Sequence, residues 1–166
     1  MDRENREIER EELRRGWRRT GWYPDLTVAE ALAAGAAARP DDLLVFASSD
    51  GGSDTVTLAA LHARAGELAS RLAATGIAPG DVVVLQAPSD RQGTEAVVAL
   101  WLLGAVLVPL ATTATPDELA HVVRETGAAV VLVVPAWRGV DLATRAAGTA
   151  ERVVVLGRGS RGPAGP

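Results

Sequence analysis

The chain contains no cysteine and no lysine, and all 17 of its basic residues are Arg. The first absence excludes a disulfide framework, a thiolate nucleophile and any cysteine-based zinc site, and it leaves the redox compartment open. The second excludes a P-loop lysine, a Schiff base and a lysine general base. Histidine is nearly as scarce. His62 and His121 stand far apart in the chain, whereas a catalytic zinc takes three protein ligands. An excess of positive charge is missing too: the net charge is −4 and the pI about 5.2, so the molecule as a whole does not attract nucleic acid or an anionic membrane.

A secretory signal is not expected, because Met1 to Arg19 is densely charged and has no apolar h-region; a cytoplasmic location is the default. Ala96 to Thr115 runs for twenty residues without a charge, the length of a membrane span. Gly104 and Pro109 interrupt it, its end Ala111-Thr112-Thr113-Ala114-Thr115 is small and polar, and Ala105 to Pro109 reads as a buried strand after a helix.

What is present fits one ordinary domain. The 166 residues are 48% apolar and 23% charged. A domain of this size buries about 68–70% of the surface its unfolded chain exposes. The predicted organisation is a charged helical leader over residues 1–22, a folded unit over 23–157 and a flexible Gly/Arg/Pro tail over 158–166.

The leader holds seven Arg against six acids through Trp22, with Ile8, Leu13 and Trp17 as its only large apolar residues before Trp22. That is too sparse for a core-facing stripe, and Glu11 with Arg15 at i,i+4 neutralises charge locally. Arg14, Arg15, Arg18 and Arg19 around Trp17 could serve a nucleic-acid binder, but a solvated charged arm explains them more simply.

From Thr27 the punctuation is regular. Thr27-Val28-Ala29-Glu30 is a capping box opening a helix to about Arg39, before Pro40. Leu43 to Ala47 reads as a strand, Asp50-Gly51-Gly52 as a turn and Ser53 to Val56 as the returning strand. Asp50 and Asp54 lack the ligand series of a calcium loop. Thr57 caps a helix striped by Leu58, Leu61, Ala65, Leu68, Ala69 and Leu72 and stopped by Gly76. Then follow strand Val82 to Gln86, helix Arg91 to Leu103, strand Ala105 to Pro109, helix Pro116 to Thr126, strand Ala129 to Val134, helix Val140 to Ala147 and strand Arg152 to Leu156. Thr115-Pro116-Asp117-Glu118 is a second capping box, and Gly127 stops its helix. Val and Leu runs without alternation need cover on both faces. The expected fold is therefore α/β: three layers, a mostly parallel sheet with helices on both faces, preceded by a short hairpin and a charged N-terminal helix.

In such a sheet a ligand sits beyond the carboxyl ends of the strands. Those loops hold Ser89, Asp90, Thr112, Thr113 and Arg138, with no base beside a nucleophile. Asp90 reads as a helix N-cap, His121 as a surface residue and His62 as structural. Gly157-Arg158-Gly159-Ser160-Arg161-Gly162 matches G-x-G-x-x-G, but no helix follows it to receive a pyrophosphate.

A series of phrases nevertheless points to a family. Thr55-Val56-Thr57-Leu58, Gly76-Ile77-Ala78-Pro79-Gly80-Asp81-Val82-Val83-Val84-Leu85, Leu103-Gly104-Ala105-Val106-Leu107-Val108-Pro109-Leu110, Thr115-Pro116-Asp117-Glu118-Leu119 and Thr126-Gly127-Ala128-Ala129-Val130-Val131 occur in order. Together they resemble the N-terminal part of the AMP-forming acyl-CoA synthetases and related adenylating ligases, over about Trp22 to Leu156. The family's Pro-Asn before the helix stands here as Pro88-Ser89. Gly16-Trp17-Arg18-Arg19-Thr20-Gly21-Trp22 and Val134-Pro135-Ala136-Trp137-Arg138-Gly139-Val140-Asp141 resemble the cyclohexanecarboxylate or medium-chain acyl-CoA ligase branch of fatty acid metabolism.

The resemblance implies an enzyme that activates a carboxylate with ATP and magnesium to an acyl-adenylate and passes it to coenzyme A or a carrier protein. The family's Ser/Thr/Gly-rich phosphate loop with its Lys, its adenine and ribose motifs and its C-terminal catalytic Lys lie beyond the matched region. No catalytic, cofactor-binding or metal-binding residue is therefore assigned to this chain, and none of those cofactors is expected on it alone. Two readings follow: a truncated or split N-terminal scaffold, inactive alone, whose partner is the rest of the ligase or a second copy; or a freestanding, non-catalytic domain that docks on a full-length ligase.

Overall fold

A computed structural model describes residues 3–22, 25–48 and 51–157. The charged leader forms α1 (Arg3–Arg19), and every described residue from Arg10 to Trp22 is exposed or half-buried, as its thin apolar content requires. In α2 (Val28–Ala38) the capping box closes: Glu30 N donates to Thr27 Oγ1 at 3.2 Å and Thr27 N to the Glu30 carboxylate at 2.7 Å. Strands β1 (Leu43–Ala47) and β2 (Ser53–Thr57) pair as an antiparallel hairpin, with Leu43 opposite Thr57 and Ala47 opposite Ser53. Asp50 of the predicted turn, and with it half of the calcium-loop pair, lies outside the described residues, as does the tail from Arg158 with most of the G-x-G-x-x-G match.

Thr57 passes the chain directly into α3 (Leu58–Ala74), capping it through Ala60 N at 3.2 Å. Leu61, Ala65, Ala69 and Leu72 of its apolar stripe are buried; Leu58 and Leu68 are half-buried. Next come β3 (Val82–Gln86), α4 (Arg91–Leu102), β4 (Val106–Leu110), α5 (Pro116–Thr126) and β5 (Val130–Val133). Gly127 ends α5 in the left-handed conformation, φ 66°, which glycine adopts without steric cost.

The parallel sheet has four strands in the order β4-β3-β5-β8, where β8 is Arg152–Val155. Central β3 and β5 meet with Val83 opposite Val130 and Leu85 opposite Leu132, all at most 4% exposed. Crossovers β3→β4 and β4→β5 run in opposite directions, so right-handed connections put α4 and α5 on opposite faces. α3 packs beside α4, and α5 beside a short helix, α6 (Leu142–Ala146), that also touches β5 and β8. The helix–sheet–helix layering is the one the sequence implied.

One element departs from expectation. Val140 to Ala147 is not one helix: β6 (Ala136–Trp137) and β7 (Val140–Asp141) form a small antiparallel hairpin, and only Leu142–Ala146 is helical. Arg138 and Gly139 take positive φ, 47° and 79°, as a two-residue hairpin turn demands. The helix then starts at Asp141, whose Oδ1 accepts from Thr144 N at 2.8 Å. The uncharged stretch 96–115 divides into the end of α4, β4 and the following loop, and no described helix is long and apolar enough to cross a membrane.

Candidate functional site

The parallel topology brings the loops after β4, β3 and β5 to one edge of the sheet, with the strand order reversing between β3 and β5. At that point stands Gln86, 1% exposed and the only buried polar side chain among the described residues. Its Nε2 donates to the carbonyls of Ala111 and Ala114 at 3.0 and 3.4 Å, tying the β4–α5 loop to the end of β3. Its Oε1 has no hydrogen-bond partner. Sequence reading placed Gln86 in a strand and gave it no role; a lone Gln closing a Val-Val-Val-Leu run was the available signal.

The sequence places Ser89, Asp90, Thr112, Thr113 and Arg138 on these loops. Asp90 is the N-cap of α4, accepting from Gly93 N at 2.8 Å, as expected. Ser89 and Thr113 are exposed and Thr112 is half-buried. Arg138 lies over the Trp137 ring, 5.8 Å from its centre, in the β6–β7 turn. His121 is exposed, as expected, and His62 is half-buried on α3 with Nε2 unpartnered.

The densest charge lies elsewhere, where the hairpin, α3 and α4 meet. Arg91 Nε donates to Asp54 Oδ2 at 2.6 Å and joins β2 to the start of α4. Glu95 sits 3.6 Å from Arg91 and 3.8 Å from Arg64, beyond hydrogen-bonding range of both, and its buried Oε1 has no hydrogen-bond partner. Loss of water therefore dominates and pushes the Glu95 carboxyl up; Arg91 opposes this, while Asp54 and Asp90 push the same way. Glu30, Glu118 and Asp141 are held below their ordinary values by backbone and hydroxyl hydrogen bonds at their caps.

No group of three or more His, Asp or Glu among the described residues could hold a metal ion, and the sequence has no Lys to meet a phosphate.

A parallel α/β subdomain with opposed crossovers is of the class on which nucleotide-using enzymes are built. Residues 32–161 match the AMP-binding enzyme family, and the chain belongs to that family. It is 36% identical over 84 residues to a feruloyl-CoA synthase of an Amycolatopsis species, covering 51% of this chain and 17% of that protein. It is 32% identical over 126 residues to the salicyl-AMP ligase / salicyl-S-ArCP synthetase of Mycobacterium tuberculosis, 75% of this chain and 22% of that one. The fold matches the N-terminal subdomain of Klebsiella oxytoca NpsA, solved in complex with anthranilyl-AMSN, with a TM-score of 0.66 at 19% identity, over 77% of this chain and 30% of that one. The chain thus spans less than a quarter of these curated relatives.

Proposed function

We propose that this chain is the N-terminal scaffold of an adenylate-forming carboxylic acid ligase, and that the groups which bind ATP and magnesium and transfer the acyl group lie in the rest of the enzyme. The observation that carries this reading is the family match over residues 32–161 in a chain with no Lys. Its contribution is structural: a rigid sheet whose strand-end loops are pinned, at β3, by Gln86.

The relatives named for ferulate and salicylate favour an aromatic acid as the substrate of the complete enzyme. The Trp-containing phrases around Trp17 and Trp137 favour a cyclohexanecarboxylate or medium-chain acid instead. ATP–pyrophosphate exchange tests the central claim. The purified chain is expected to give none with salicylate, ferulate, cyclohexanecarboxylate or octanoate, and exchange above the no-enzyme blank with any of them would overturn the scaffold reading.

A further inference from the structure

We propose that the C-terminal end of α1 docks on the outer face of the β1–β2 hairpin of a second copy, reciprocally, so that two chains form a two-fold dimer. The contact is independent of the scaffold role. Gly21, with φ 72°, closes α1 in a Schellman turn: its N–H donates to Arg18 O at 3.2 Å and that of Trp22 to Trp17 O at 3.0 Å. This motif draws together the two positions that Trp17 and Trp22 occupy, and Leu13 lies one turn earlier on the Trp17 face. The turn is fixed by its own hydrogen bonds, yet Leu13, Trp17 and Trp22 are 50%, 44% and 82% exposed. Trp among Arg is the composition of an interface anchor.

The hairpin supplies a matching surface. Its register sets Leu43, Val45 and Ala47 opposite Thr57, Thr55 and Ser53 on one face, while Leu44 and Val56 pair on the other, where Val56 is buried. Leu43 and Val45 are exposed between the short side chains of Ala47, Ser53 and Thr55. Charge matches as well: residues 13–22 hold four Arg and no acid, and residues 40–57 hold four Asp and no Arg. Most of their present partners are loose. Arg14 reaches Glu11 at 3.7 Å and Arg18 reaches Asp25 at 3.6 Å, in exposed pairs that contribute little. Asp54 is held by Arg91 at 2.6 Å, but Asp42 meets Arg39 at 3.3 Å in the open and Asp41 has no ion pair among the described residues. Asp41 and Asp42 stand at the foot of β1 next to Leu43, so indoles laid on Leu43 and Val45 bring Arg14 and Arg18 towards them.

The occupant is a second copy because each chain's own Trp pair ends at the wrong side of α2. Trp22 precedes the Thr27 cap by five residues, whereas the hairpin begins beyond the far end of α2, whose 11 residues span about 16 Å. Every copy carries both complementary surfaces, and two copies satisfy each other across a two-fold axis. Four indoles and the strips they cover bring the buried area to the order of 1,000 Å², the lower bound of a specific interface. The dimer is therefore weak, and the hairpin face is bare at the low protein concentrations of an unfolding measurement.

Sedimentation equilibrium reads the association. The parent is expected to be a 17.2 kDa monomer at about 5 µM and a dimer at about 500 µM in low salt, shifting back toward monomer in about 0.5 M NaCl. Arg14→Glu with Arg18→Glu, and separately Asp41→Arg with Asp42→Arg, should each weaken self-association at least tenfold, since each sets like charges at both contacts. An equimolar mixture of the two variants should dimerise like the parent, because one contact then joins the two reversed surfaces and the other the two native ones. All four residues are exposed, so the urea midpoints of both variants should match the parent's. Trp22→Ser should weaken association to a similar degree. A parent that stays monomeric at about 500 µM would overturn the proposal. A dimer that neither charge variant weakens, or that mixing does not restore, would overturn it by placing the interface elsewhere. A monomer that Arg14→Glu with Arg18→Glu destabilises would overturn it by placing α1 on its own hairpin.

Discussion

The centre of the sheet and its rim obey different rules. β3 and β5 are covered on both faces, and Val83, Val84, Val130, Val131, Leu132 and Val133 are 0% exposed. On the β1–β2 hairpin, Leu43 and Val45 are 66% and 63% exposed, and on the outer strands Val106 and Val155 are 50% and 47% exposed. The residue types are the same in both places. The hydrophobic drive that assembles a domain is thus satisfied in the middle and left over at the margins.

The contrast breaks most sharply with one substitution made twice. Leu132→Ala in β5 empties a fully buried site and should cost about 2–5 kcal/mol in urea unfolding, whereas Leu43→Ala on the hairpin should stay within about 0.5 kcal/mol of the parent. Equal losses would mean that the hairpin face is packed in solution, and the centre-against-rim distinction would fail.

Glycine gives the next largest effect, with a change of sign. A Cβ at Gly93 in α4 would fall 1.9 Å from the Pro88 carbonyl oxygen, so Gly93→Ala must displace the loop between β3 and α4 and should destabilise by about 1–3 kcal/mol. Gly66 on α3 has nothing within 4 Å, and there Gly66→Ala should stabilise by about 0.5–1 kcal/mol through helix propensity. Thermal unfolding of the two variants decides it; a Gly93→Ala variant as stable as the parent, or more so, would refute the loop contact. Below these stands Thr115→Ala, which removes the α5 cap accepting from Glu118 N at 3.3 Å and should cost about 1 kcal/mol. The same change at Thr27, on a helix of which only Ala36 is buried, should matter less to global unfolding; a larger loss there would reverse the ranking of centre over rim.

The same division governs what was legible in the sequence. The Val-rich strands, the caps at Thr27, Thr57, Asp90 and Thr115 and the stop at Gly127 are local signals, and each is realised within about a residue of its expected place. The β6–β7 turn was misread because Val140 to Ala147 has helix-forming composition, and the conformation of Arg138 and Gly139 prevailed over it. The Asp54–Arg91 and Arg64–Glu95 pairs and the Gln86 tie to Ala111 were invisible, since their partners lie 25 or more residues apart; only Arg91 and Glu95, at i,i+4 on α4, are a local pair of that cluster. Arg152 is of the same kind: its guanidinium reaches from β8 to the carbonyls of Thr75 and Gly76 at the end of α3, a contact no local pattern encodes.

Glu95 gives the finest probe of the boundary between centre and rim. Its folded pKa lies above the unfolded value of 4.5, so the native state holds this proton to higher pH than the unfolded chain does. Stability then falls as pH rises from about 4.5 through the raised value and levels off above it. Glu30, Glu118 and Asp141, with lowered values, act oppositely: their contribution is present above the ordinary carboxylate range and is lost as pH falls through their folded values. Glu95→Gln should therefore remove the decline on the neutral side of the profile and leave the acid limb intact, because the amide carries no charge to desolvate. Unfolding free energies of parent and variant from about pH 2 to 8 supply the check. Parallel profiles would show that Glu95 is as well hydrated as a rim residue, and a variant losing stability only at neutral pH would show that Arg64 and Arg91 pair with it more closely than 3.6 Å allows.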